Sequence, residues 1–363
     1  MKGYHQGETY YRDADYLVCE TNKKSVKEEK VSEVKERTTV NKHLRMLADN
    51  YLAATKSLTS QKLRIDAVKR GVDEVDEVTW ISYLLWEERL TGHKDLLVGE
   101  MGGILDYHPC WPFLQSISGI AEAVGGTLLG LWGDIEKYPL ISKFTRASGW
   151  GLGPYYISEE TGQVVSPVAG WKWVRKNGKK ERVWVEPEQP EDTFVDHRVD
   201  KPIRGWLLPF NKVLKSRLWH AFTQFLRADG KAKADGRPRH PHVAIYYEYK
   251  DIYAARPLKG PSLCPIHSVP HLKGGKVVKC QTGKHIDNAA RRKAITIFLQ
   301  HVWEYWRLAK GLPIRATYVE EKLGYVMRYP IRNFTNIPIP AETRPWSKED
   351  EEAATGGKYD WIE

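Results

Sequence analysis

Residues 108–130 read HPCWPFLQSISGIAEAVGGTLLG, and the fold prediction starts from this stretch. The pattern predicts a short helix that ends at Ser116, a tight turn at Ser118-Gly119, and a second helix that runs through Leu131. This outline is a helix-hairpin-helix, in which a glycine lets the backbone approach a phosphate closely. The second helix would offer its unpaired N–H groups to that phosphate, so Gly119 and Ala121 are candidate nucleic-acid contacts. An ordinary helical hairpin in a protein core explains the same residues equally well.

Helical periodicity continues on both sides of this stretch. Residues 41–110 carry large apolar side chains at helical spacing, and the same spacing resumes over residues 205–313. Residues 1–40 are highly charged with few large apolar groups, which predicts a mobile arm. Residues 314–363 form a tail, and its acidic end from Trp346 predicts disorder. The sequence therefore predicts a mainly α fold.

A β-rich insertion interrupts the helices over residues 158–204. Apolar and polar side chains alternate from Trp171 to Val174 and again from Arg182 to Val185, with an Asn-Gly pair between the two runs. Asn-Gly is a typical two-residue hairpin turn because both residues tolerate positive φ. We predict a small basic β-hairpin, with Lys172 and Arg175 as candidate nucleic-acid contacts beside the tryptophans.

Composition favours a polyanionic partner. The chain of 363 residues has 56 Lys and Arg against 46 Asp and Glu, a net charge of +10. Such a balance suits DNA, structured RNA or an anionic membrane face, although a merely soluble basic protein would show it too. No apolar run reaches the length of a membrane span, which argues against a membrane protein.

Four scattered cysteines and a polar N-terminus predict a cytoplasmic protein. Four cysteines at these positions are too few for a disulfide scaffold. A homo-oligomer is compatible with the sequence.

One group of residues has metal-ligand spacing. Cys264, His267, Cys280 and His285 form the pattern C-x2-H-x12-C-x4-H, in which each close pair can occupy one side of a tetrahedron. We predict a structural zinc site that ties the preceding loop to the helix beginning near His285. The alternative is two buried thiols with exposed histidines, and His271 is a competing ligand. The sequence leaves a role for Mg²⁺ open.

Basic residues also recur at the starts of two predicted helices. Lys212, Lys215 and Arg217 lie in one of them, and Arg291 and Arg292 lie in the other. A basic cluster in the first turns of a helix can lie on a phosphate backbone, so all five are candidate nucleic-acid contacts. A solvated helix face is the alternative.

The order of several short motifs resembles a known family. The motifs are Ser116-Ile117-Ser118-Gly119-Ile120, Gly133-Asp134-Ile135, Phe144, Gly151-Leu152-Gly153-Pro154, and Asn211, Leu214, Lys215 and Leu218 at helical spacing. They resemble the C-terminal, serine-bearing domain of insertion-sequence transposases that also carry a RuvC-like DEDD nuclease domain, the bridge-RNA-guided recombinases. A looser resemblance extends through Phe298, Trp303, Trp306-Arg307 and Gly311-Leu312-Pro313. The similar region covers roughly residues 100–313.

The resemblance implies a catalytic serine a few residues after the Gly-Leu-x-Pro element. Ser158 occupies that offset, and Ser166 lies further along the chain. A serine that attacks a phosphodiester forms a covalent protein–DNA intermediate and needs nearby cations. A surface serine in a loop is the alternative.

Two departures from the family pattern weaken the case for catalysis. Residues 1–110 read as helical, which predicts that the RuvC-like nuclease half is absent, and Ala121 replaces the second glycine of the hairpin. The sequence therefore leaves two alternative functions. The first is a DNA-binding transposase-like protein that acts in transposition or recombination, with serine-based strand exchange if it is active. The second is a non-catalytic DNA- or RNA-binding accessory protein derived from a transposase.

Overall fold

The chain is mainly helical, as the sequence predicts. The computed structural model describes residues 40–160, 164–176, 179–199, 206–208, 210–236, 239–257, 271–273, 276–278, 282–315, 329–335, 337–341 and 344–355. Its helices are α1 (40–69), α2 (Glu77–Leu105), α3 (Trp111–Gln115), α4 (Glu122–Trp132), α5 (Ile141–Ala147), α6 (Lys212–Ala234), α7 (Pro241–Ala254), α8 (Thr282–Ala309) and α9 (Lys348–Thr355). In the part of the chain that is described, no helix has both the length and the apolar character needed to cross a bilayer.

Helix α4 lies at the centre of the helical core, and three glycines let its neighbours approach. A Cβ on Gly130 would lie 2.7 Å from the Leu44 carbonyl oxygen of α1, and one on Gly126 would lie 2.9 Å from the Met101 sulfur of α2. At Gly125 a Cβ would collide with the Trp111 ring of α3. Helix α4 is therefore in close contact with three other helices at positions where only glycine fits.

The turn between α3 and α4 packs against α6. Gly119 has φ +97°, a conformation that residues with a side chain rarely adopt. A Cβ there would lie 2.9 Å from the carbonyl oxygen of Gln224 in α6. The helix boundaries match the sequence prediction closely, and the close approach that this glycine permits is to another helix of the same chain.

The segment after α4 is tied to the C-terminal end of α8. Lys310 has a buried ammonium group whose nitrogen lies 2.7 Å from a carboxylate oxygen of Asp134 and 2.6 Å from one of Glu136. The Trp303 indole donates a hydrogen bond of 2.8 Å to the Tyr138 carbonyl. Two parts of the chain more than 160 residues apart are joined by these contacts.

Helices α7 and α8 share a buried pair of histidines. His301 Nε2 lies 2.8 Å from the Tyr329 carbonyl oxygen, so this nitrogen carries the proton. His301 Nδ1 must then accept the hydrogen bond of 2.9 Å from His242 Nε2. Burial lowers the pKa of His301 to about 4 and holds the pKa of His242 well below its ordinary value. Both rings are therefore neutral in the folded protein near pH 7.

Within the described ranges, the strands form three small antiparallel sheets. The predicted hairpin is present as β3 (Gly170–Lys176) paired with β4 (Lys179–Val185). The order β2-β1-β5 describes a second sheet, built from β1 (Leu152–Ser158), β2 (Val164–Pro167) and β5 (Thr193–Val199). A third pair joins β6 (His271–Lys273) and β7 (Lys276–Val278). The sequence did not predict the three-stranded sheet, and the expected boundary between residues 157 and 158 falls inside β1.

The predicted disorder of the acidic tail is wrong for residues 348–355, which form α9. Ser347 and Asp350 exchange hydrogen bonds as a capping box, with the Asp350 amide donating to Ser347 Oγ and the Ser347 amide donating to Asp350. The Arg344 guanidinium also holds both carboxylate oxygens of Asp350, and Ala354 is fully buried. Composition suggested disorder because it does not register these specific contacts. Of the predicted arm, only residue 40 is described, and it is already helical.

Substituting Gly130 tests the close approach of α1 to α4. We expect Gly130→Ala to lower the free energy of unfolding by about 1–3 kcal/mol, because the new methyl group must displace the α1 backbone. The matched control is Gly92→Ala, because Gly92 lies in α2 with open space at its Cβ position. Its free energy of unfolding should rise by about 0.5–1 kcal/mol through helix propensity. Urea denaturation measures both, and equal effects of the two substitutions would contradict the packing described for α4.

Candidate nucleic-acid interface

The β3–β4 hairpin gathers aromatic and basic side chains on one face. Its register places Trp173 opposite Arg182 and Arg175 opposite Lys180. Directly opposed residues share a face of a two-stranded ribbon, and so do residues two apart on one strand. Trp184 is two residues from Arg182 and belongs to the same face. We name these five residues the outer face of the hairpin.

The outer face is accessible and strongly positive. Trp173 is 52% exposed, and Arg175, Lys180 and Arg182 are exposed as well. Trp184 is half-buried, and its indole nitrogen donates a hydrogen bond of 2.8 Å to a carboxylate oxygen of Glu186. The two strands contain six lysines and arginines and a single glutamate, Glu181. Because Glu181 is opposite Val174, it belongs to the other face.

The opposite face of the hairpin is anchored to the rest of the protein. Lys172 forms a backbone bridge with Trp206, and its ammonium nitrogen lies 5.4 Å from the centroid of the Trp206 ring. The Cβ position of Gly170 is 3.3 Å from the same ring. Lys172 and Arg175 therefore point to opposite faces, and the structure does not bring these two predicted contacts together.

A second group of aromatic and basic side chains is stacked on itself. The rings of Trp150 and Trp219 are parallel within 2° and their centroids lie 6.0 Å apart. Lys215 covers Trp150 at 5.9 Å and Phe210 at 4.6 Å, while Arg291 covers Trp219 at 5.2 Å. We name these five residues the cation–aromatic column. Its two tryptophan rings face each other and the two cations, which leaves little ring surface for a ligand.

The remaining predicted cations of α6 and α8 point in different directions. Arg217 is two residues from Lys215, a rotation of about 200° around the helix, so it lies on the other side of α6. Burial lowers the pKa of Arg217 below its ordinary value. Arg291 is paired with Asp287 at 2.9 Å, whereas Lys212 and Arg292 are exposed. These residues do not form one cluster.

The start of α4 keeps only part of its predicted chemistry. Ala121 is the N-cap of α4 in an extended conformation, and its side chain makes no capping hydrogen bond. Glu122 follows in the first turn, and its negative charge opposes a phosphate at this position. The contacts predicted at Gly119 and Ala121 stay predictions.

Ser158 is the last residue of β1, and Lys215 contacts the segment before that strand. The Cβ position of Gly149, three residues before β1, is 2.8 Å from the Lys215 side chain. Ser158 lies six residues beyond Leu152, a distance of about 20 Å at 3.3 Å per residue of strand. It is half-buried opposite Thr193. Ser158 and the segment that Lys215 contacts are therefore at opposite ends of β1.

Most of the predicted zinc site lies outside the described residues. Cys264, His267 and Cys280 belong to that undescribed part, and His285 is the fourth residue of α8, where it is half-buried. Among the residues that are described, no three His, Cys, Asp or Glu side chains form a group that could hold a metal ion. The zinc site stays a prediction.

Sequence reasoning missed Lys180 and Arg182 in the hairpin and the Trp150–Trp219 stack. Lys180 and Arg182 could have been predicted, because a two-residue Asn177-Gly178 turn sets residue 176 opposite 179 and residue 173 opposite 182. The tryptophan stack had no such signal, because 69 residues separate its two rings.

No family model, curated protein or solved structure matches this chain.

Proposed function

We propose that this protein binds nucleic acid through the outer face of the β3–β4 hairpin, and that it serves as a DNA-binding protein in transposition or recombination. One observation carries the binding proposal, the exposed Trp173 with Arg175, Lys180 and Arg182 on the same face. Nucleic-acid-binding surfaces use cations that contact the phosphates and flat aromatic rings that stack on the bases. The resemblance to transposases supports the biological role.

Of the two roles, the non-catalytic one has more support. The contiguous, fully described residues 40–151 contain helices and turns without a β-strand, whereas a RuvC-like nuclease domain is built on a sheet. Ser158 also lies at the end of β1 opposite to the segment that Lys215 contacts, about 20 Å along the strand. We therefore propose a binding or accessory component derived from a transposase, with DNA as partner and structured RNA as a second candidate.

The charge contribution of the hairpin is tested by Arg175→Gln combined with Arg182→Gln. We expect weaker binding to duplex DNA, to a four-way junction and to structured RNA. The slope of log K against log salt concentration on duplex DNA should fall by about 1.8 if both arginines contact phosphates. The control is Lys56→Gln with Arg64→Gln, which removes two exposed positive charges from α1. Equal losses for the two double variants would show that only net charge matters and would contradict the proposed interface.

Catalysis is tested by searching for a covalent adduct. Wild-type protein incubated with labelled duplex or junction DNA should give no denaturation-resistant protein–DNA band if its role is binding alone, because such a band requires Ser158 to attack a phosphodiester. A band that persists in Ser166→Ala and disappears in Ser158→Ala would overturn the non-catalytic role and establish serine-based strand exchange.

The zinc site is proposed as a structural element, with Cys264, His267, Cys280 and His285 as ligands. Purified protein should contain about one equivalent of zinc, and Cys280→Ser should lose the metal and lower the Tm, because a closed site contributes folding free energy. Cys19→Ser is the control and should keep the metal, because Cys19 lies outside the pattern. Elemental analysis of wild type that gives less than about half an equivalent would contradict the site.

A further inference from the structure

We propose that the outer face of the hairpin is a site for an unpaired nucleotide strand, with Trp173 stacking on a base and Arg175, Lys180 and Arg182 contacting the backbone phosphates. This inference rests on the proposed function and specifies the form of nucleic acid that the site takes.

The arrangement of the face matches an extended single strand. Trp173 and Arg182 are directly opposed, so their Cβ atoms lie about 4.5–5.5 Å apart. Arg175 and Lys180 form the next pair on the same face, about 6.6 Å further towards the hairpin turn. The aromatic ring is thus flanked by cations across the ribbon and along it. A base on the ring would have its own phosphates within reach of these side chains.

Trp173 differs from Trp150, Trp219 and Trp184, which also lie beside cations. The facing rings of Trp150 and Trp219 already stack on each other, and Lys215 and Arg291 lie over them. Trp184 is held by its hydrogen bond to Glu186 and is half-buried. Trp173 is 52% exposed in the middle of the positive face.

A half-exposed ring alone would not indicate a nucleic-acid site, and Trp86 shows why. Trp86 is also 52% exposed, but it lies in helix α2 and not in the hairpin. Only Trp173 shares a face with Arg175, Lys180 and Arg182. Trp86 is therefore a control matched to Trp173 in exposure.

A closed duplex uses this face less well than an unpaired strand. A β-ribbon fits the major groove of B-DNA, where Arg175 and Arg182 could hydrogen-bond to base edges, but the groove offers no base face on which the Trp173 ring could stack. The bases of a duplex are stacked on one another, so an indole ring cannot cover a base without opening the helix. In A-form RNA the major groove is too deep and narrow for side chains to enter. An unpaired base offers the whole of its flat surface to Trp173.

The experiment measures binding of fluorescently labelled oligothymidylate of about 20 nucleotides and of a blunt duplex of equal length. Wild type should prefer the single strand. We expect Trp173→Ala to weaken single-strand binding about 5- to 150-fold, the range for loss of one stacked aromatic ring. Duplex affinity should change less than about 2-fold, as for an ordinary surface substitution.

Two further variants separate stacking from hairpin structure. Trp173→Leu keeps an apolar strand residue that cannot stack, and it should lose single-strand affinity as Trp173→Ala does. Trp173→Phe should retain most of it, since a smaller ring still stacks. Trp86→Ala should leave both affinities unchanged within about 2-fold.

The outcomes distinguish this inference from the proposed function. Suppose that wild type binds duplex and single strand equally and that Trp173→Ala changes neither affinity. This result would overturn base stacking on Trp173 but would leave binding through the arginines of the hairpin intact. Equal losses on both probes in Trp173→Ala and Trp173→Leu would also overturn it. Binding to neither probe would overturn the proposed function and this inference together.

Discussion

The close packing around α4 is the constraint on which the rest of the helical fold depends. Gly125, Gly126 and Gly130 bring the backbone of this helix against Trp111, Met101 and Leu44 of three other helices. Each glycine in a helix costs about 1 kcal/mol relative to alanine, and here the cost is offset by contacts that no larger residue permits. Residues Gly125–Trp132 are all buried, so neither the helix nor its neighbours can shift without opening the core.

The helical core in turn holds the sheet and the hairpin. The chain leaves α4 at Gly133, is fixed to α8 by the Lys310 ion pairs, and enters β1 after α5. In the chain, β3 and β4 lie between β2 and β5, which both pair with β1. Both ends of the hairpin are thus connected in the chain to strands of the same three-stranded sheet. Trp206 also supports its inner face at Lys172 and Gly170. An interface on such a support keeps its side chains in a defined order, which favours binding because less ordering entropy is lost.

The same residue types serve two different purposes in this protein. In the cation–aromatic column, Lys215 and Arg291 lie over tryptophan rings that are partly buried against the core, so these cations contribute to packing. On the outer face of the hairpin, the cations surround a ring that is half-exposed. The numbers of tryptophans, lysines and arginines are equally compatible with either purpose. Only the contacts of each ring separate a stabilising cluster from a surface that can accept a ligand.

The sequence by itself determined the helical class, the helices and turn around Gly119, and the hairpin of β3 and β4, because each depends on local periodicity and turn chemistry. Local contacts also explain α9, in which Ser347 and Asp350 form a capping box. The prediction of disorder was wrong there because it rested on the acidic composition alone. Tertiary structure alone decided that β1 pairs with β5, that Trp150 stacks on Trp219, and that Lys215 lies over Trp150. These relations join residues far apart in the chain, and side-chain packing between distant segments leaves no periodic signal in either segment. The outer face of the hairpin lies between these cases. Its register follows from the turn, whereas the contact of Lys172 with Trp206 joins the hairpin to a residue distant in the chain.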